Sequence, residues 1–92
     1  MPILHSVHTL SIGTPTMIVT PDNMPQEVTI HNMTKSSNEY IFIGGSAVSV
    51  SNAPHIDPGA TIQLTIRPSD ALWAVSDPGG LEVGVLQIQK RD

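Results

Sequence analysis

Two runs of strict period-two alternation constrain this chain more than any other feature. In Glu27 to Asn32, Val28 and Ile30 alternate with Glu27, Thr29 and His31. In Thr61 to Arg67, Ile62, Leu64 and Ile66 alternate with Thr61, Gln63, Thr65 and Arg67. Successive side chains of an extended strand point to opposite faces. Each run therefore predicts a strand with one buried and one solvated face, the pattern of an antiparallel sheet. Val7 to Ile12, Thr16 to Thr20, Tyr40 to Ile43, Ala47 to Val50, Leu72 to Ser76 and Leu81 to Gln89 are further candidates, which makes about eight short strands.

The breaks carry turn chemistry. Asp57-Pro58-Gly59 and Asp77-Pro78-Gly79-Gly80 place proline at the second turn position and glycine at the third. Proline presets φ there, and glycine accepts the positive φ of a type II turn. Thr20-Pro21-Asp22-Asn23 and Lys35-Ser36-Ser37-Asn38 read as polar loops. Ser69 to Val75 admits a two-turn helix with Ser69 as N-cap, but a turn at Pro68 to Asp70 followed by a strand is preferred. Turns this frequent, with no helical period between them, predict an all-β fold: a small antiparallel β-sandwich or barrel.

Two strands depart from simple alternation. Tyr40-Ile41-Phe42-Ile43 is apolar on both faces, so it is either a central strand or one covered by a partner. In the last strand the apolar face switches between Val85 and Leu86. Gly84 beside the switch predicts a bulge that rotates the strand.

Ninety-two residues make one domain, 1–92, with residues 1–8 a possible extended N-terminal arm. Hydrophobic residues are 39% and charged residues 13%, a balance that supports a packed core. With no cysteine, no disulfide or thiolate zinc site holds so small a core. Oligomerisation or docking on a larger surface is the natural source of further stability. The net charge is −4, and only Lys35, Arg67, Lys90 and Arg91 are basic. Binding DNA or RNA draws on several clustered cations, so no nucleic-acid partner is expected. Met1-Pro2-Ile3-Leu4-His5 has neither a basic leader nor a long apolar run, so no secretory signal is expected. No apolar run approaches the roughly 20 residues that span a bilayer, so no membrane partner is expected either.

The polar residues do not assemble into a chemical motif. His5 and His8 are three apart, which on a strand puts them on opposite faces, and His31 and His55 are isolated. No metal site is expected from that spacing; a histidine on a trimer axis sharing an ion is the residual alternative. Asp57, Asp70 and Asp77 sit where a carboxylate caps a turn, and no carboxylate pair is placed for acid/base work. Ser46, Ser49, Ser51 and Ser69 lack a nucleophile-elbow context. Gly44-Gly45 leads into Ser46-Ala47-Val48 and not into a helix whose N-terminus would bind phosphate. Asn32-Met33-Thr34 matches a glycosylation sequon, a pattern common by chance. No catalytic residue, cofactor or metal is expected, and the chain reads as a binding protein and not an enzyme. Tyr40, Phe42 and Trp73 are its only aromatics. Core, sugar-binding platform and subunit interface are all open to them.

The ordered series Val28-Thr29-Ile30-His31-Asn32, Tyr40-Ile41-Phe42-Ile43-Gly44-Gly45-Ser46-Ala47-Val48, Ser51-Asn52, Ile56-Asp57-Pro58-Gly59-Ala60 and Asp70-Ala71-Leu72-Trp73-Ala74-Val75 resembles a group of small β-sandwich virion proteins of tailed bacteriophages. They share a strand ending in Asn, an aromatic-hydrophobic strand ending in Gly-Gly, a Pro-Gly or Ala-Gly turn, and an Asp-Ala-Leu-aromatic-Ala strand. The resemblance covers about residues 28 to 86, and Ala53-Pro54-His55 departs from the glycine-containing loop expected there. It implies a capsid decoration, or cement, protein on the phage head surface, made in the bacterial host cytoplasm. The implied partners are the major capsid protein and the chain itself, as a homotrimer. Candidate interface residues are Tyr40, Phe42 and Trp73, with Leu4 and His5 from the segment outside the resemblance. The competing readings are a carbohydrate- or receptor-binding module of a fibre or tail, and a head–tail joining component.

Overall fold

Both alternating runs form strands, and they pair with each other. The structure, a computed structural model, describes residues 3–89. Its strands are β1 (Ile3–Thr9), β2 (Thr16–Val19), β3 (Gln26–Asn32), β4 (Tyr40–Gly44), β5 (His55–Ile56), β6 (Thr61–Ile66), β7 (Leu72–Asp77) and β8 (Glu82–Gln89). No helix occurs among the described residues. Two four-stranded antiparallel sheets, β1-β8-β3-β6 and β2-β7-β4-β5, pack as a β-sandwich. We call them sheet A and sheet B.

The alternation decides which face of each strand is buried. In β3, Val28 and Ile30 are buried while Glu27 and His31 are exposed. Val28 stands opposite Leu64 of β6 and Gln87 of β8; Ile30 stands opposite Ile62 and Val85. The core joins Val28, Ile30, Val83 and Val85 of sheet A to Ile41, Ile43, Leu72 and Ala74 of sheet B. Each valine, leucine or isoleucine among them contributes about 1.5–3 kcal/mol on full burial. In β2 the register shifts between Met17 and Val19. Ile18 and Val19 are both buried in the core, as a bulge that turns two successive residues inward would place them.

The chain changes sheet at every connection except β4–β5, and one side-chain amide anchors two of those crossings. Asn32, fully buried at the end of β3, donates from Nδ2 to the carbonyls of Glu39 (2.9 Å) and Ile56 (3.0 Å). Its Oδ1 accepts from Thr34 N (3.1 Å) and Thr34 Oγ1 (2.7 Å). One side chain thus ties sheet A to the start of β4 and to β5. The sequon asparagine is a structural pin, with both ends of its amide engaged.

The turns differ in how closely they follow their sequences. At Asp57-Pro58-Gly59-Ala60, Ala60 N donates to Asp57 O (3.0 Å) and Gly59 has φ 75°, the type II form expected. Arg67-Pro68-Ser69-Asp70 closes the same way, with Asp70 N to Arg67 O at 3.1 Å and Ser69 at φ 67°. The turn-then-strand reading of this segment holds. In Asp77-Pro78-Gly79-Gly80 the Asp77–Pro78 peptide is cis, and Gly80, not Gly79, takes the positive φ, 88°. Gly80 N then donates to Leu10 O (2.7 Å), tying this loop to the chain leaving β1.

Three strand expectations need correction. Ala47 to Val50 is loop, because Val48 folds back over Gly44 and Asn52 bonds Ser49 N and Ala47 O; the strand beside β4 is the short β5. The first strand is Ile3–Thr9, not Val7 to Ile12. Most of the segment considered as an arm therefore lies in sheet A, and residues 1 and 2 are outside the described residues. β8 has no bulge at Gly84: it keeps one register with β1 and with β3 along its length.

Candidate interaction surface

The unbroken register of β8 has a consequence for its polarity. Val83, Val85, Gln87 and Gln89 share the buried face, and Leu86 and Ile88 share the outer one. The strand therefore inverts along its length: valines inside at one end, glutamines inside and aliphatics outside at the other. Buried amides are tolerated only when hydrogen-bonded. Gln87 Nε2 donates to Gln26 Oε1 at 2.8 Å, Gln89 Nε2 lies 3.5 Å from the same oxygen, and Gln26 Nε2 donates to Thr20 O at 2.8 Å.

The register lays out the outer face of sheet A in rows across β1, β8, β3 and β6. Ile3, Ile88, Glu27 and Thr65 form one row; His5, Leu86, Thr29 and Gln63 the next; Val7, Gly84, His31 and Thr61 the third. Ile3 is 63% exposed, Val7 54% and Leu86 38%, and Met33, just beyond β3, is 44% exposed. These aliphatics cluster on one face, whereas isolated exposed apolar residues are ordinary. A shallow groove of about 300 Å³ runs between His5, Val7, His31, Met33 and Leu86, with Gly84 in its floor. A Cβ on Gly84 would come within 3.3 Å of Met33 Sδ, so glycine leaves room for the methionine. In these three rows the only formal charge is Glu27.

Leu4 and His5 both lie on β1 but point to opposite sides of it. His5 joins the outer face beside Leu86, and Leu4, opposite Gln87, points to the inner side yet stays 44% exposed at the margin of the sandwich. His8 also points inward, opposite Val83, with Nε2 2.9 Å from Ser6 Oγ. The odd spacing of His5 and His8 thus separates them, as a strand requires. No group of three or more potential metal ligands exists among the described residues.

The aromatics occupy the opposite side of the molecule. Tyr40 and Phe42 point away from the core on β4, a central strand of sheet B flanked by β7 and β5. Trp73 lies on the same outer face, in register with Gly44 and Met17. All three are half-buried. His55 meets Tyr40 edge-on (centroids 5.0 Å apart) and Phe42 at a tilt (5.8 Å). Its Nε2 sits 3.1 Å from Asp57 Oδ1, so this carboxylate faces a histidine and not, as expected, its own turn. Asp70 similarly faces Arg67 Nε, 3.4 Å away, across an exposed turn where the pair adds little.

The candidate residues therefore fall into two groups that the fold does not bring together: Tyr40, Phe42 and Trp73 on sheet B, Leu4 and His5 on sheet A. Sequence reading missed Ile3, Val7, Met33, Leu86 and Ile88. The available signal was Leu86 and Ile88 alternating with Gln87 and Gln89 in a strand that already had Val83 and Val85 on the glutamine side. The chain matches no family model, and neither curated proteins nor solved structures give a significant match.

Proposed function

We propose that this chain is a non-enzymatic structural protein of a tailed-phage virion, a capsid decoration protein that docks on the major capsid protein at the head surface. One observation carries the docking surface: the outer face of sheet A presents Ile3, Val7, Leu86 and Met33 to solvent while β8 buries glutamines behind them. A strand that places aliphatics outward and amides inward is suited to being covered on its outer side. The β1–β8 half of that face, aliphatic and without formal charge in the three rows, also suits a protein of net charge −4 that must approach a large assembly without strong steering. The virion assignment itself rests on the ordered sequence resemblance.

Physically, such a protein adds buried interface across neighbouring capsid subunits and so resists outward pressure on the shell. The test is co-sedimentation with expanded capsids of the phage that encodes it. Wild-type protein should bind saturably. Leu86→Lys and Val7→Lys should abolish binding while leaving the circular dichroism and melting temperature unchanged.

A second reading has its own observation. Tyr40, Phe42 and Trp73 are half-exposed on sheet B, with His55, Asp57 and Asp77 around them. Aromatic faces rimmed by carboxylates suit sugar stacking. A glycan array decides this reading: hits lost on Trp73→Ala support it, and no hits remove it.

A further inference from the structure

We propose that β1 is a self-pairing edge: two copies of this chain join antiparallel about a two-fold axis at Ser6, fusing their four-stranded A sheets into one. An edge strand presents a row of unpaired backbone donors and acceptors, and folds normally blunt it with charge, proline, a bulge or brevity. The other edges here are blunted or polar. β2 carries the register shift, β5 has only two residues, and β6 lines its outer face with Thr61, Gln63 and Thr65. β1 is seven residues long, and Ile3 to Thr9 contains no Lys, Arg, Asp, Glu or Pro. Its edge away from β8 has no strand partner among the described residues.

The register shows why a second copy fits this edge. Leu10 N donates to Leu81 O at 2.8 Å, continuing the β1–β8 ladder. Hydrogen-bonding direction alternates along an antiparallel strand. Leu4, Ser6 and His8 therefore direct their peptide groups to β8, and Ile3, His5, Val7 and Thr9 direct theirs to the free edge. Antiparallel pairing centred on Ser6 sets Ile3 against Thr9 and His5 against Val7 of the other copy. All four outward residues then donate and accept, and every β1 residue has an opposite number. No formal charge meets its like, which matters for two chains that each carry −4. The aliphatic β1–β8 halves of the two outer faces become continuous across the axis.

The strength of this pair is bounded by area. A strand edge about 24 Å long and about 10 Å thick offers roughly 240 Å² of contact plane, against about 800 Å² per partner in a standard stable complex. The pair is therefore weak in dilute solution and forms at high local concentration. It is isologous, so it yields dimers, whereas the sequence resemblance implies trimers.

Single-cysteine cross-linking tests this directly, because the natural chain has no cysteine. At the axis Ser6 meets Ser6 as a non-hydrogen-bonded pair, Cα atoms about 4.5 Å apart, within disulfide reach. Leu4 meets His8, so two Leu4 positions stay far apart. Under mild oxidation Ser6→Cys should form disulfide dimers at least tenfold faster than Leu4→Cys, although Leu4 is the more exposed residue. Val7→Pro removes a backbone N–H that the free-edge direction leaves unbonded in the monomer. In the Ser6→Cys background it should abolish the rate difference, and it should weaken dimers by about a hundredfold in sedimentation equilibrium. Equal rates for the two cysteines, a monomer up to millimolar concentration, or a trimer would each overturn the proposal. Capsid binding by a strictly monomeric protein would sink the pairing alone. Two-fold dimers that ignore capsids would sink the docking function alone.

Discussion

Gln87 and Gln26 meet inside the sandwich, amide nitrogen to amide oxygen at 2.8 Å, on neighbouring strands β8 and β3. This contact makes the inverted half of β8 possible. It lets two glutamines of one strand occupy core positions while Leu86 and Ile88 turn outward. The fold at this end is held by a small polar network, and β8 turns Leu86 and Ile88 to the surface outside it.

Removing one member of that network is expected to be costly. Gln26→Leu takes the acceptor from the Gln87 amide and the donor from the carbonyl of Thr20. A loss of about 2–4 kcal/mol is expected in urea unfolding, about 1–3 kcal/mol for the buried Gln87 amide and less for the part-buried Thr20 bond. Replacing Gln26, Gln87 and Gln89 together by leucine should recover part of it, because no glutamine amide is then stranded while the Thr20 carbonyl still loses its donor.

Asn32→Ala removes four hydrogen bonds, taking this donor from the carbonyl of Ile56 and leaving that of Glu39 the long 3.4 Å contact from Thr34 Oγ1. The expected cost is about 2–4 kcal/mol. Amide hydrogen exchange should localise part of the damage to the 33–39 loop and β5, the segments that Asn32 ties to sheet A.

Core and face should separate cleanly in an alanine scan. Ile30 is fully buried, so Ile30→Ala should cost about 2–5 kcal/mol. Leu86→Ala should stay within about 0.5 kcal/mol of wild type in thermal unfolding. On the docking proposal its effect is expected in capsid binding and not in stability.

Ser69 holds φ 67° without the freedom of a glycine. A side chain in the left-handed region costs about 1–2 kcal/mol, partly offset by the larger unfolded-state entropy of glycine. Ser69→Gly is expected to raise stability by about 0.5 kcal/mol. Gly59→Ala, at φ 75°, is expected to lower it by about 1 kcal/mol. Paired urea titrations measure both.

The sequence made the architecture readable wherever one strand face is wet. Val28/Ile30 and Ile62/Leu64/Ile66 alternate against polar neighbours, and both became strands of the sandwich. Pro58-Gly59 dictated its turn because glycine takes the positive φ at the third position. Reading failed where a tertiary contact overrode local pattern. The Val85–Leu86 switch looked like a bulge because three distant glutamines were not known to meet. Ala47 to Val50 looked like a strand because nothing local reports that Asn52 caps it as a loop. The sequence leaves Tyr40, Phe42 and Trp73 open between core, sugar-binding platform and subunit interface, and Leu4 and His5 cannot be assigned to the opposite sheet without the ladder between β1 and β8.

Titrating purified expanded capsids with the wild-type chain and with Leu86→Lys and Trp73→Ala tests the docking face most directly. Saturable binding by wild type and by Trp73→Ala, with binding by Leu86→Lys lost, is the result expected. Binding that survives Leu86→Lys but disappears with Trp73→Ala would move the working face to sheet B, and no binding by the wild-type chain would contradict the decoration role itself.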